Sequence, residues 1–360
     1  MPKRRFAEVT LRHVAERAGV SMKTVSRVVN NQGEIREATK VRVQEAIEHL
    51  GYQPNALAQG LVRRRSNTLA VVAWGLDYYG PSRTVVGIEQ QSDELGYSLM
   101  LHLLCRPDEM RVTKLLNTLV ARRVDGIVWA VPEIGENRAW IAGDLVTQLP
   151  PIVFLSMAPR PGVSVVANDN RLGAALATRH LIAQGRRRIG LITGPLEWWE
   201  ARERRAGWEE SLIGAGLEAS GSLVVEGDWS ASSGERGMAQ LMERQPDIDA
   251  VFACNDPMAL GALQSIHRLG RQAPRDLAVV GFDNIPEAAY FLPPLSSVYQ
   301  PLVDVGRLAV QVLHNQIEAD QRGEDHSGPV ATLLEPQMVV RQSSLAGPHP
   351  GADAVSTRGN

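Results

Sequence analysis

The sequence predicts a small all-α head built around a helix-turn-helix, followed by a two-lobed α/β body that contains two doubly wound parallel sheets. Apolar residues recur at helical spacing through about the first fifty residues, which predicts short amphipathic helices. From Thr68 onward, apolar strand-like runs alternate with stretches of helical period, as is typical of parallel sheets. The alternation occurs in two series, so we expect two lobes with a cleft between them, and a chain of 360 residues is long enough for such a body.

The head begins with two predicted helices in the segment VTLRHVAERAGVSMKTVSRVVN, residues 9–30. Thr10 is expected to cap the first helix, and Gly19 is expected to end it. Ser21 is then the predicted cap of the second helix. Two short helices joined by a tight glycine-containing turn are typical of a helix-turn-helix, whose second helix enters the major groove of DNA.

A third helix, at about Glu37–Leu50, is predicted to cover the first two. Its candidate core residues are Val41, Ala46, Ile47 and Leu50. We interpret this helix as a packing element of the head.

The exposed positions of the second predicted helix are the candidate DNA contacts. Met22 and Lys23 would face base edges, and Arg27 would do so one turn later. The remaining candidates in the head are short polar residues suited to phosphates, namely Thr10, Ser21, Thr24, Ser26 and Asn30. Charge favours the same interpretation, because residues 1–65 hold 13 lysines and arginines against six acidic residues, while the whole chain has a net charge of −2.

Candidate ligand-binding residues follow from the rule that ligands of open α/β sheets bind beyond the carboxyl ends of the strands. The predicted strands lie in TLAVVAW, YSLMLHLL, DGIVWAV and PIVFLS in the first series, and in RRIGLIT, SLVVEGD, DAVFACN and LAVVGFD in the second. The residues that follow or end them are Trp74, Pro81, Arg106, Ser156, Trp198, Trp199, Arg204, Trp229, Asn255 and Asp283. Aromatic faces beside cations, an amide and a carboxylate suit a carbohydrate, which presents a C–H face and adjacent hydroxyls.

Some of these residues have a structural alternative. Trp198 and Trp199 could anchor an interface instead of a ligand. Asp283 could cap the turn after its strand. Asp256 is expected to cap a helix, and Trp208 is expected to lie in the core.

Other functional classes lack their sequence signals. No apolar run approaches the ~20 residues that span a bilayer, and the basic N-terminal stretch lacks the apolar core of an export signal, so we expect a cytoplasmic protein without membrane contact. Cys105 and Cys254 give neither a disulfide framework nor a metal spacing. The sequence contains no GxGxxG or GxxxxGKS/T phosphate loop, no GxSxG elbow and no HExxH, so we expect neither an enzyme nor a cofactor or metal.

Five stretches carry a specific resemblance to a known family. LRHVAERAGVSMKTVSRVVN and GYQPNALAQGLVRRRS, followed by EGDWSASSG, CNDPMALGAL and VVGFDNIPEAAYFLPPLSSVYQP, resemble the LacI/GalR family of bacterial transcription regulators. The resemblance implies a homodimer that binds a pseudo-palindromic DNA operator, with a body of the periplasmic-binding-protein type. It also implies a repressor of carbohydrate-utilisation genes that a small sugar or glycoside, bound between the lobes, releases from the operator.

The resemblance assigns roles to the matching residues. In the head, Met22 and Lys23 discriminate operators, and Arg27 reads a base. In the body, the matching ligand residues are Arg204, which clamps sugar hydroxyls, Trp229, which stacks on the sugar, and Asn255 and Asp283, which bind hydroxyls.

The resemblance also implies a division of the chain. The implied parts are a head at 1–52, a hinge helix and linker at 53–65, a body at 66–342 and a tail at 343–360, which we expect to be disordered because of its glycines and prolines. The body chain would cross three times, with a first lobe at about 66–167 plus 298–327 and a second lobe at about 168–297 plus 328–342. In the hinge, Asn55, Ala58 and Leu61 would contact DNA, with Leu61 wedged into a minor-groove base step.

Two residues depart from the family pattern. Arg36 stands where the family usually has the serine that caps the third helix, and Ser156 stands where a sugar-binding member has a carboxylate. The second departure argues against a galactoside. Because tryptophan stacking suits purines as well, a regulator with a purine or nucleoside corepressor stays an alternative. A solute-binding protein of a transporter is disfavoured by the DNA-binding head and the missing export signal.

Overall fold

The computed structural model describes residues 9–30, 33–53, 65–107, 112–142, 146–324 and 328–345. The chain divides into two compact units, Met1–Asn67 and Thr68–Asn360, which we call the head and the body and describe separately. The predicted hinge contacts Asn55, Ala58 and Leu61 lie outside the described residues.

The head contains the three predicted helices, α1 (Leu11–Ala18), α2 (Met22–Val29) and α3 (Glu37–Leu50). α1 ends at Gly19, which takes the left-handed conformation with a φ of 65°. Ser21 caps α2, because its Oγ accepts the Thr24 backbone N–H at 3.1 Å. These two caps set the tight turn of the helix-turn-helix.

α3 closes the head core with a set of residues that differs from the predicted one. Val43 and Ala46 are buried, whereas Val41 is 48% exposed. Positions 43, 46, 47 and 50 follow the period of one helix face, and position 41 lies off that face. The prediction of Val41 as a core residue was therefore wrong. The helix begins at Glu37 although Arg36 makes no side-chain capping hydrogen bond.

The body contains two six-stranded sheets. The first holds β1 (Thr68–Ala73), β2 (Ser98–Leu103), β3 (Gly126–Ala130), β4 (Ile152–Leu155), β5 (Ser164–Asn168) and β11 (Ala331–Leu334), in the spatial order β11-β5-β4-β3-β1-β2. The second holds β6 (Ile189–Thr193), β7 (Val224–Glu226), β8 (Ala250–Ala253), β9 (Ala278–Asp283), β10 (Ser296–Tyr299) and β12 (Gln337–Val339), in the order β12-β10-β9-β8-β6-β7. Neighbours pair in parallel, except that β12 runs antiparallel to β10. The predicted two-lobed α/β class is confirmed.

Helices cover both sheets. Those of the body, among the described residues, are α4 (Tyr79–Glu94), α5 (Val112–Ala121), α6 (Asn170–Ala183), α7 (Trp199–Gly214), α8 (Ala231–Arg244), α9 (Asp256–Arg268) and α10 (Leu302–Arg322). Short 3-10 turns lie at Ala139–Ala142, Val146–Gln148, Gly221–Leu223 and Pro286–Tyr290. α4 packs against α10 on the first sheet, while α6 packs against α7 and α8 against α9 on the second. We call each sheet with its helices the first lobe and the second lobe.

The late return of the chain to the first lobe follows from the apolar face of α10. Val305, Ala309, Leu313 and Ile317 recur every four residues and are buried in the first-lobe core. Without this helix, one face of the first sheet would be uncovered.

The chain crosses between the lobes three times, but two crossings lie later than expected. β10 stays in the second lobe, where Val298 is buried in the core, so the crossing follows Tyr299 and not residue 298. β11 still belongs to the first sheet, so the last crossing falls between Leu334 and Gln337 and not at 328. Both strands are short and only partly apolar, so their sequences gave little strand signal.

The start of the predicted disordered tail was placed too early. Ser343 and Ser344 are buried. Ser343 Oγ donates to the Val279 carbonyl at 2.7 Å, and Ser344 Oγ lies 2.7 Å from Ser296 Oγ. These contacts fix the chain against the second lobe as far as the described residues extend. Within the same described ranges, no helix is long and apolar enough to cross a membrane.

Candidate functional site

The accessible side of α2 is set by the residue that this helix buries. Val25 is fully buried in the head core, which turns the opposite side of the helix outward. Met22 is 53% exposed, and Lys23 and Arg27 are exposed as well. The predicted base-facing residues therefore share the accessible side of α2.

The short polar candidates of the head are held by local hydrogen bonds. Ser21 Oγ and Thr24 Oγ1 lie 2.9 Å apart at the N-terminus of α2, and Asn30 Nδ2 donates to the Ser26 carbonyl at 2.8 Å. Thr10 is exposed directly before α1. Because backbone N–H groups and the helix dipole favour anions at a helix N-terminus, Ser21 and Thr24 are placed where a phosphate could bind.

A cavity of about 240 Å³ lies in the body between the two lobes, at the carboxyl ends of their strands. Eight of the ten residues predicted for the cleft line it, namely Pro81, Ser156, Trp198, Trp199, Arg204, Trp229, Asn255 and Asp283. We call this space the cleft cavity. Trp74 and Arg106 are not among its lining residues; Arg106 is exposed, and Trp74 contacts the aromatic residues beside the cavity.

Arg204 is the positively charged residue of the cleft cavity, and α7 holds it in a fixed position. Its guanidinium lies 3.8 Å from the ring centre of Phe282 and 5.5 Å from that of Trp229. Arg204 Nε donates to Asn170 Oδ1 at 2.9 Å, and Arg204 Nη1 donates to the Cys254 carbonyl. The side chain is 6% exposed, so these contacts replace most of its hydration.

Asp283 ends β9 and lies beside Arg204 on the second-lobe side of the cleft cavity. Its Oδ1 lies 3.9 Å from Arg204 Nη1 and accepts a hydrogen bond from Gln300 Nε2 at 2.6 Å. Burial raises the pKa of Asp283 to about 6, against the opposing effects of Arg204 and Gln300. The site thus holds a guanidinium donor and a carboxylate acceptor side by side, which is the pattern that a pair of neighbouring hydroxyls can satisfy.

Four aromatic rings form a cluster at one side of the cleft cavity. Trp198 lies 5.6 Å from both Trp74 and Trp229 and 5.8 Å from Tyr78, measured between ring centres. Trp74 and Tyr78 come from the first lobe, whereas Trp198 and Trp229 come from the second. Such a cluster provides flat apolar faces that both lobes contribute.

Trp199 and Tyr78 each pack into the lobe to which they do not belong. Trp199 begins α7 of the second lobe, yet its ring is buried in the first-lobe core. Tyr78 of the first lobe packs against the second-lobe core. Two backbone bonds of 3.0 Å join the lobes beside these rings, from the Trp199 N–H to the Glu133 carbonyl and from the Gly135 N–H to the Glu197 carbonyl.

Asn255 shapes the site, and the expected role of its neighbour was wrong. Asn255 Oδ1 caps α9 by accepting the Met258 N–H at 2.8 Å, and its Nδ2 donates to the Trp229 carbonyl at 2.9 Å. Asp256 is therefore not the helix cap. Its buried carboxylate instead accepts the Ser297 hydroxyl and the Ile285 N–H.

Three lining residues have unusual backbone conformations. Ser156, Trp229 and Asp283 have φ angles of 52°, 70° and 102°, in the region that favours glycine. A non-glycine residue is strained there and persists where the surrounding structure holds it, which is common at binding sites.

Sequence reasoning missed many lining residues. They are Thr84, Pro132, Ala167, Asn168, Asn170, Glu200, Pro257, Gln300, Leu302 and Val305. Asp77, Tyr78, Tyr79 and Gly80 also line the cavity, and they fall within the segment from Trp74 to Pro81 that follows the first predicted strand. Asn168 ends β5, Asn170 follows it, and Gln300 follows β10, two strands that were not predicted. Glu200 had a usable signal, because it lies four residues before Arg204 and so on the same helix face.

The described residues hold no group of three or more histidine, cysteine, aspartate or glutamate side chains that could bind a metal ion.

Comparison with known proteins identifies both units. The family model of bacterial regulatory proteins of the lacI family matches residues 10–55, and that of the periplasmic binding protein-like domain matches residues 178–344. The ribose operon repressor of Escherichia coli (strain K12) is 37% identical over 311 residues, which cover 86% of this chain and 93% of that protein.

Two solved structures give the same assignment over the length of the chain. The lac repressor dimer bound to operator and the anti-inducer ONPF has a TM-score of 0.82 at 31% identity, covering 94% of this chain and 99% of that one. The complex of the transcriptional regulator CelR with cellobiose has a TM-score of 0.67 at 33% identity, covering 93% and 99%. The chain therefore belongs to the LacI family of bacterial regulatory proteins.

Proposed function

We propose that this protein is a cytoplasmic, homodimeric repressor that binds operator DNA through α2 and leaves it when a small sugar or glycoside binds in the cleft cavity. The observation that carries the sugar assignment is the fixed pair of Arg204 and Asp283, with the guanidinium of Arg204 next to the ring of Trp229. Membership in a family of DNA-binding regulators also confirms the prediction that the chain is not an enzyme.

The chemistry of a sugar matches this part of the cleft cavity. A guanidinium donates hydrogen bonds and a carboxylate accepts them, so Arg204 and Asp283 can bind hydroxyls in both roles. The Trp229 ring can cover the apolar C–H face of a pyranose or furanose ring. Relatives named for ribose and cellobiose support this ligand class.

Binding at DNA is proposed for the accessible side of α2. Met22, Lys23 and Arg27 would reach base edges in the major groove, while the N-terminal groups of α2 contact phosphates. A two-fold symmetric dimer would read a pseudo-palindromic site, and the solved lac repressor dimer on its operator supports that arrangement. The hinge contacts Asn55, Ala58 and Leu61 remain predictions from the family pattern.

Control by a ligand requires that sugar and operator favour different arrangements of the two lobes. A ligand that bound both arrangements equally would shift nothing, however tightly it bound. For an inducer, the sugar and the operator prefer opposite arrangements of the lobes. Binding of either one therefore weakens binding of the other by the same factor.

The test measures operator binding and effector response in one experiment. Fluorescence anisotropy follows the full chain on the DNA upstream of its own gene while D-ribose, cellobiose, adenosine or guanine is added. We expect a sugar to release the DNA, and Arg27→Ala to weaken specific DNA binding while leaving the affinity for that sugar unchanged. Tighter DNA binding with a purine and no response to any sugar would overturn the sugar proposal and favour a purine corepressor.

A further inference from the structure

The cleft cavity contains a second carboxylate, that of Glu200, a half-buried residue whose Oε2 atom is buried. This residue lies in the first turn of α7 and lines the cavity. Its Oε2 is buried and has no hydrogen-bond partner, although the Ser156 hydroxyl from the opposite lobe bonds to the carboxylate. A buried carboxylate oxygen without a partner is costly, which makes it a candidate to accept a hydrogen bond from a ligand.

The positive charges near Glu200 are already engaged. Arg204 lies one turn along the same helix, but its Nε and Nη1 are bonded to Asn170 and the Cys254 carbonyl. Arg138 of the first lobe is 1% exposed and donates to the Val131 carbonyl. Neither guanidinium forms a direct ion pair with Glu200, so the two arginines compensate the negative charge of the carboxylate only at longer range.

The charged side chains that line the cleft cavity are mostly acidic. Asp77, Glu200 and Asp283 carry negative charge, against Arg204 alone as a cation among the described lining residues. An anionic group of a ligand would lose its hydration next to at least two of these carboxylates. Like charges placed together in such a site cost several kcal/mol, which is a means of rejecting the wrong ligand.

We propose that Glu200 is a specificity-determining residue of the cleft: its free Oε2 accepts a ligand hydroxyl, and it makes the cleft select uncharged polyhydroxylated ligands over their phosphorylated or carboxylate-bearing forms. This inference rests on the proposed function, since it assumes that the cleft cavity binds a sugar. The proposal also explains how the site can do without a carboxylate at Ser156, where a sugar-binding family member has one. Glu200 of the second lobe would supply that carboxylate.

The test uses matched pairs of sugars that differ in one acidic group. Isothermal titration calorimetry of the full chain compares D-ribose with D-ribose 5-phosphate, and cellobiose with cellobiose 6′-phosphate, which keeps both pyranose rings. We expect the neutral member of the recognised pair to bind at least about tenfold more tightly than the acidic one. In E200Q, the neutral sugar should bind about tenfold more weakly, because the amide oxygen accepts the same hydrogen bond without a negative charge, and the preference over the acidic member should fall.

Two further variants separate the role of Glu200 from a general disturbance. Glu197→Gln makes the same chemical change at an exposed position just before α7 and should leave both affinities unchanged. Glu200→Asp keeps the charge but shortens the side chain, so it should weaken binding of the neutral sugar and retain the preference against the acidic one. If E200Q failed to fold, the last variant would still test the proposal.

The outcomes for the two proposals are distinct. Equal binding of neutral and acidic sugars by the wild-type chain, or an unchanged preference in E200Q, would overturn the role of Glu200 and leave the proposed function intact. Binding of adenosine or guanine without binding of any sugar would overturn the proposed function, and this inference with it.

Discussion

Glu200 and Asp283 make the stability of the body depend on pH. Burial raises the pKa of Glu200 to about 7 and that of Asp283 to about 6. A carboxyl group whose pKa is higher in the folded chain than in the unfolded chain holds more protons when folded. Its contribution to stability is therefore complete below about pH 4 and is lost as the pH rises through about 6 to 7.

Glu200→Gln tests this dependence at a single residue. At about pH 4 the variant and the wild-type chain should have similar stability, because the Glu200 carboxyl group is then protonated in the folded chain and largely protonated in the unfolded chain as well. At about pH 8 the variant should be more stable, by on the order of 2 kcal/mol, since an amide buries no charge. Urea unfolding of the ligand-free chain at both pH values measures the difference. Glu197→Gln should show none, and a difference for E200Q that did not grow with pH would contradict the argument.

A predicted strand located most of the cavity-lining residues that were predicted from the sequence, although Trp74 and Arg106 also follow predicted strands and do not line the cavity. Ser156, Trp229 and Asp283 follow or end β4, β7 and β9, whose apolar runs are evident, and all three line the cleft cavity. Glu200 and Asn170 were missed for different reasons. Asn170 follows an unpredicted strand, and Glu200 reads as an ordinary charged residue of a helix until its burial is known.

At the scale of elements, Trp199 and Tyr78 link the two lobes, because each ring packs against the core of the other lobe. Trp199 belongs to α7 of the second lobe but is 6% exposed within the first-lobe core. Its neighbour Trp198 is only partly buried. The two tryptophans therefore differ in burial although they are adjacent in the chain. They form a matched pair for measuring how much burial of Trp199 in the first-lobe core contributes to the free energy of unfolding.

Trp199→Ala should lower the free energy of unfolding by about 3–5 kcal/mol, as truncation of a buried tryptophan does. Trp198→Ala should cost less, because less of that ring is removed from water. Urea unfolding of both variants, followed by circular dichroism, measures the two losses. Equal losses of unfolding free energy in the two variants would contradict the argument that burial in the first-lobe core makes Trp199 the more stabilising residue.

The strands that escaped prediction are short and carry weak apolar patterns. β11 and β12 are three or four residues long and only partly buried. β5 and β10 are mostly buried but begin with serines, so their sequences do not stand out as apolar runs. Position in the sheet did not decide the outcome, because the edge strands β2 and β7 were predicted.

At the scale of the whole molecule, the exposed apolar side chains of the body favour a dimer. Leu101 and Leu103 on the edge strand β2 are 47% and 52% exposed, and Tyr290 and Leu292 of the second lobe are 84% and 90% exposed. An apolar edge strand left open in water invites pairing with another chain. We therefore expect β2 to lie in the interface of the proposed homodimer.

Replacing both Leu101 and Leu103 with lysine should convert the dimer to a monomer. Two linked heads hold two half-sites, so the monomer should bind the operator about a hundredfold or more weakly. Sedimentation velocity and operator titration measure the two effects. Ile213→Lys, a charge at another exposed apolar residue at the end of α7, should leave the dimer intact. If the double variant remained a dimer, β2 would not lie in the dimer interface.

The order of the strands in the two sheets has a consequence for synthesis on the ribosome. The core of the head uses residues from Val14 to Tyr52, all of which emerge early. The first lobe needs α10 to bury its sheet and β11 to complete it, and the second lobe needs β12. Neither lobe can therefore finish before residues 331–339 have left the ribosome, although domains usually fold in order from the N-terminus. A nascent chain would present a folded DNA-binding head long before it had a body able to respond to any sugar.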